Sequence, residues 1–198
     1  MRNKLIIAIT LIGLVFTNAK TLNTANNTQN KDTVILLAMH GGVPSDFPKD
    51  DLQQFMQLHS QAHSGDKEVY DKAHQLEHKL RNWPRSKDND PFYWGSELLQ
   101  NALQAKTSTP VILAFNEFCA PSIEDAMVKI VNDFQPNKIL VVTPMLTQGG
   151  NHSEIDIPKA LERGKKLIND DEVIIEYLWP IPVEKTARFL SELMKPRI

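Results

Sequence analysis

Four continuous apolar runs punctuate this chain, and they constrain its fold more than any other feature. Thr33-Val-Ile-Leu-Leu-Ala-Met39, Pro110-Val-Ile-Leu-Ala-Phe115, Lys138-Ile-Leu-Val-Val-Thr143 and Glu172-Val-Ile-Ile-Glu-Tyr-Leu178 mostly lack the polar alternation of a half-exposed strand. Each therefore reads as a strand buried on both faces. Helical patterns fill the gaps. Asp50 or Asp51 caps a helix whose Leu52, Phe55, Met56, His59 and His63 share one face. Ser64-Gly65-Asp66 interrupts it, and a second segment runs to about Arg81 on the stripe Val69, Ala73, Leu76 and Leu80. Asn82 to Pro91 is a polar, proline-bounded loop, followed by a helix over Phe92 to Lys106. Ser122 caps a helix to about Phe134, Asn151 or Ser153 opens one to Asn169, and Val183 to Met194 closes the chain. Strands alternating with helices predict an α/β fold: a four-stranded parallel sheet with helices on both faces, in one domain over residues 33–198.

Parallel α/β sheets bind ligands outside the carboxyl ends of their strands. His40 follows the first strand, Glu117 and Cys119 the second, and His152 the third, so all four fall on one sheet edge. Two imidazoles and a carboxylate suit a borderline divalent metal such as cobalt, nickel, iron or zinc. Gly41, Gly42, Gly149 and Gly150 flank the histidines and would let a bulky ligand approach the backbone closely. The plainer alternative is that His40 ends a strand and His152 bonds to backbone. The shared edge favours function.

Other chemistries fit less well. His40-Gly41-Gly42 is similar to an esterase oxyanion loop, but the chain has no G-x-S-x-G elbow. A Cys119–His hydrolase is conceivable, although a cysteine in Phe-Cys-Ala-Pro is more often a small buried residue. No G-x-G-x-x-G or G-x-x-x-x-G-K-[ST] is present, so no organic or nucleotide cofactor is expected. The pairs His59/His63 and His74/His78 each place two rings on one helix face. The first is packed or lines a pocket, and is a candidate for a second metal site. The second reads as solvated.

A net charge of -2 gives no indication of nucleic-acid binding. Arg2, Lys4, the apolar run Leu5–Phe16 and Thr17-Asn18-Ala19 read as a signal peptide over residues 1–19. The run is too short to serve as a stable membrane anchor. Residues 20–32, rich in Asn and Thr, read as a flexible leader. The expectation is an exported, periplasmic protein, held without internal disulfides because Cys119 is its single cysteine.

Taken together, His40-Gly41, Glu117 with Pro121-Ser122, and Pro144 with Gly150-Asn-His152-Ser-Glu-Ile-Asp156-Ile-Pro158 resemble the class II sirohydrochlorin chelatases, in particular the small single-domain cobalto- and ferrochelatases. The resemblance spans about residues 33–195, with His-x3-Asp-Ile-Pro its most specific part. Where the family commonly has His-Gly-Ser, this chain has His-Gly-Gly. The segment from about Glu68 to Phe92 is longer than compact members have. The resemblance implies a chelatase-like half-domain that inserts Co2+, Fe2+ or Ni2+ into a sirohydrochlorin-like tetrapyrrole without ATP. It implies His40 and His152 as metal ligands and proton acceptors, with Glu117 as a third ligand or base. Only one set of motifs is present, so a homodimer is implied. The alternative on the same scaffold is an exported, non-enzymatic carrier of metal or tetrapyrrole. Asp156-Ile-Pro158 reads as the turn that seats the following helix.

Overall fold

A computed structural model describes residues 32–61, 66–195 and 197. The signal and leader readings for residues 1–31 lie outside these, as do His63 and Ser64-Gly65. The elements follow in the order β1 (Thr33–Met39), α1 (Lys49–Gln61), α2 (Lys67–Arg81), α3 (Pro91–Gln104), β2 (Val111–Phe115), α4 (Ile123–Phe134), β3 (Lys138–Val142), a π-helical turn (His152–Asp156), α5 (Ile157–Ile168), β4 (Ile174–Tyr177) and α6 (Val183–Met194). The four strands form one parallel sheet in the order β2-β1-β3-β4. This is the α/β fold expected from the apolar runs.

The pleat sends alternate residues of β1 into two cores. Val34, Leu36 and Ala38 join Ile139 and Val141 of β3 beneath α4 and α5, with Ile123, Met127, Ile130, Ile157 and Leu161. These helices approach closely because Gly164 leaves room: a Cβ there would meet Met127 Sδ at 2.5 Å. Leu37 and Met39 face the other way, with Leu113, Phe115 and Cys119, against Tyr93 and Leu103 of α3. α1 and α2 pack on one another around Phe55 and Leu80. Among the described residues no helix is long and apolar enough to cross a membrane.

Cys119 is the small buried residue of the plainer reading. Burial, as the largest cause, pushes its thiol above its ordinary value, and Sγ lies 3.6 Å from Gly42 O. That removes it as a nucleophile. Helix starts follow local chemistry. Ser122 Oγ accepts from Asp125 N at 3.0 Å, as the sequence predicts. Asp66, expected in the interruption, caps α2 instead by accepting from Glu68 N and Val69 N. The expected cap at Asn151 or Ser153 does not form. Asn151 is helical and makes no side-chain cap bond, while Ser153 is buried and donates to Gly150 O at 3.1 Å.

Candidate metal site

The site is assembled by three loops at the carboxyl ends of β1, β2 and β3. The first two are joined by a continuation of the sheet: Asn116 N donates to Met39 O at 2.9 Å and Glu117 N to His40 O at 2.8 Å. This zipper requires a glycine next to His40. Gly41 has φ +103°, and a Cβ on it would fall 1.8 Å from Glu117 O. Gly41→Ala should therefore force the loops apart and lower stability by ~3 kcal/mol or more, read as a fall in the urea midpoint. At Gly42 a Cβ would meet Asp90 Oδ1 at 3.4 Å and Phe92 Cβ at 3.6 Å, which are ordinary contacts. Gly41 thus accommodates this chain's own atoms. Gly149 and Gly150 are exposed on the open side, and a Cβ on Gly149 would meet nothing within 4 Å.

The third loop ends in the π-helical turn, where Ile157 N closes onto His152 O. Such wide turns are rare and recur at functional sites. Two contacts brace it. Glu154 Oε1 accepts from Gly149 N at 2.7 Å, and Tyr177 Oη donates to Ser153 O at 3.0 Å. Burial pushes the Tyr177 phenol up to about 12, so this donor keeps its proton well above neutral pH.

The result is convergence. Among the described residues, His40, Glu117 and His152 are the one group of three His, Cys, Asp or Glu whose ligand atoms all lie within 4.8 Å of one another. Their side chains are each about a third exposed, at 38%, 34% and 35%. His40 Nε2 lies 3.0 Å from His152 Nε2 and 4.0 Å from Glu117 Oε2, and Glu117 Oε1 lies 3.6 Å from His152 Nδ1. The other ring nitrogens fix the tautomers. His40 Nδ1 donates to Gly41 O at 2.6 Å, and His152 Nδ1 donates to Asp156 Oδ2 at 2.9 Å. With both Nδ1 atoms donating, the two Nε2 atoms face one another as acceptors 3.0 Å apart, a pair that could hold a cation. Two nitrogens bound at about 2.1 Å and a right angle would lie about 3.0 Å apart, which matches their separation.

Asp156 is therefore more than the turn that seats the following helix. Its carboxylate accepts from His152 Nδ1 and so fixes the orientation of that ring. Asn116, whose amide nitrogen lies 3.3 Å from His152 Nδ1, adjoins the same contact. Sequence reading missed both. Asp156→Asn should weaken divalent-metal affinity ~10–100-fold with little change in stability, as measured by titration calorimetry. Phe92 and Phe118 flank the outer side of His40, with ring centroids at 6.4 and 6.3 Å.

Behind the site the polar, proline-bounded loop carries a buried cation. Arg85 and Asp90 form an ion pair with side chains only 6% and 2% exposed. Arg85 also donates to Gly42 O (2.6 Å), Leu80 O (2.9 Å) and Phe118 O. Asp90 in turn caps α3 through Tyr93 N at 2.9 Å. Arg81 donates to Asn116 O and Cys119 O, so two guanidinium groups hold the loop that carries Glu117. The remaining histidines stand apart. His59, His74 and His78 are exposed, with His59 against the Phe55 ring and His74 against Tyr70. The His59 partner needed for a second metal site lies outside the described residues.

The CbiX family profile matches residues 86–187, a stretch that holds Glu117, His152 and Asp156, with His40 lying before it. No curated protein matches. Among solved structures, the chain is similar to the sirohydrochlorin chelatase SirB from Bacillus subtilis subspecies spizizenii in complex with cobalt, at 17% identity and a TM-score of 0.47. The match covers 84% of this chain and 51% of that one, so the chain spans about half the length of that structure's chain. Since the profile covers just over half of the sequence, the chain belongs to the CbiX family.

Proposed function

We propose that this protein inserts a divalent metal, Co2+ or Fe2+, into a tetrapyrrole of the sirohydrochlorin type without nucleotide hydrolysis. The observation that carries this reading is the pair of Nε2 atoms 3.0 Å apart, each ring held by a donor bond from its other nitrogen. Three protein donors would leave coordination positions open on a six-coordinate ion. Their partial exposure leaves the ion reachable by a flat macrocycle. Such a site suits handing a metal over better than storing it. Phe92 and Phe118 offer apolar ring surface beside His40 for that macrocycle.

Insertion replaces two pyrrole N–H protons by one M2+, so the site must take up two protons per turnover. As the ion moves to the macrocycle, His152 Nε2 is freed to accept one, and the Asp156 carboxylate stabilises the imidazolium that forms. Glu117 is placed to accept the other. Because metal binding requires deprotonated ligands, affinity should fall on acidification. Only one site of this kind is present among the described residues, and two copies facing one another across a cleft would enclose the macrocycle. The apolar run Leu5–Phe16 supports export as part of this reading.

The test is optical. Purified protein, Co2+ and sirohydrochlorin are mixed, and the tetrapyrrole absorbance is followed against a protein-free control. Insertion many-fold faster than the control, independent of ATP and lost in His40→Ala, supports the reading. Stoichiometric binding of metal or tetrapyrrole without turnover would replace it with a carrier.

A further inference from the structure

The polar loop from Asn82 to Pro91 has no part in the proposed metal chemistry, yet it builds a second concave surface. With the end of α2, the start of α3 and Ala120, it walls an open pocket of about 560 Å3. That volume is of small-molecule size, within the range of ~300–1,000 Å3. His40, Glu117 and His152 do not line it. The loop after β2 serves both places, through Glu117 at the metal site and through Ala120 at the pocket.

The lining is cationic and aromatic. Arg81, Arg85 and Lys87 stand against the single carboxylate of Glu97, and Trp83, Tyr93 and Trp94 supply the rings. Three N–H groups of Arg81 bond to Glu77, Asn116 O and Cys119 O, and its remaining ones have no partner among the described residues. Lys87 is exposed and forms no ion pair among them. Trp94 is 41% exposed and offers an uncovered indole. Burial, and then the neighbouring Glu97, push the Tyr93 phenol above its ordinary value, so it too remains a donor at neutral pH.

Arg85 adds an independent observation. Its side chain is only 6% exposed, and its Nε is the one buried side-chain nitrogen among the described residues with no hydrogen-bond partner. A buried donor left alone points to an acceptor that the chain does not itself supply.

We propose that this pocket binds a flat organic anion, an aromatic carboxylate, with its charge beside Arg81 and Lys87 and its ring against Trp94. An inorganic anion would leave the aromatic wall unused. A neutral aromatic would leave the cationic donors without an acceptor. A molecule with both ends matches the whole lining. The inference does not rest on the metal-insertion reading, since the pocket and the metal ligands are different residues.

The test is titration of the metal-free full chain with naphthoate, by calorimetry and by ligand-observed NMR. Naphthamide removes the charge, cyclohexanecarboxylate removes the flat ring, and inorganic phosphate removes the organic body. The expected result is one naphthoate bound per chain, ~10-fold or more tighter than any of the three. Trp94→Ala should weaken naphthoate ~10-fold and Lys87→Gln ~3-fold, with melting temperatures unchanged because both side chains are exposed. His152→Ala should leave the affinity as it is. No saturable binding of naphthoate, or equal affinity for phosphate or naphthamide, would overturn the proposal on the unaltered chain alone. Full affinity in both pocket variants would also overturn it. So would loss of binding in His152→Ala, which would put the anion at the metal site instead.

Discussion

His152→Ala is expected to lower divalent-metal affinity by more than ~100-fold and to abolish metal insertion while the fold persists. The bound on affinity follows from what is removed. Loss of an outer-sphere partner typically costs ~10–100-fold, and in the proposed site His152 is an inner donor that also terminates such a contact. Its removal leaves His40 and Glu117, whose nearest ligand atoms are 4.0 Å apart. Asp156, whose carboxylate is 40% exposed, can recover water, so little stability is lost. His40→Ala should match His152→Ala in effect, and the double variant should cost little more than either alone, because the first deletion already destroys the clamp. Cobalt titrations of the four proteins, read with thermal melts, give both quantities.

The second large effect is on stability. Arg85→Met should destabilise the protein by ~3–5 kcal/mol, because it strands the buried Asp90 carboxylate as an uncompensated charge. It also leaves the carbonyls of Gly42 and Phe118 without their guanidinium donor, while Leu80 O keeps Trp83 N at 3.2 Å. The Gly42 and Phe118 carbonyls lie on the loops that carry His40 and Glu117. Metal affinity should therefore fall together with the unfolding midpoint, in contrast to Asp156→Asn. Pairing Arg85→Met with Asp90→Leu should recover only part of the loss. The pair's charge imbalance is then removed, but the carbonyls remain unsatisfied and α3 loses its cap. Urea denaturation of the three proteins measures the difference.

The framework was legible because its determinants are local. Runs such as Val34–Met39 can be satisfied only by burial on both faces, and the strand–helix alternation then sets a parallel sheet with one ligand-binding edge. That edge placed His40, Glu117 and His152 together without any knowledge of distances. What escaped was set by long-range packing. Arg85 sits in a stretch that reads as a polar loop, and no local pattern announces that carbonyls of two distant loops, those of Gly42 and Phe118, accept from it. Asp156 is different, since its signal was present. It stands four residues after His152, the same spacing that singled out His59/His63 and His74/His78. Reading Asp156-Ile-Pro158 as helix-seating chemistry concealed that relation, and the π-helical turn then brought the two side chains to 2.9 Å. The extent of the closing helix was legible, but its surroundings were not: the periodicity of Val183–Met194 shows that it has an apolar face without saying what covers it.

The proposed chemistry turns on one shared ion. A crystal grown with Co2+ and measured at the cobalt absorption edge tests it most directly. The prediction is a single anomalous peak between His40 Nε2 and His152 Nε2, about 2.1 Å from each, with a Glu117 oxygen in its coordination sphere and Asp156 still bonded to His152 Nδ1. Cobalt bound elsewhere, or an edge that stays empty at saturating Co2+, would contradict it.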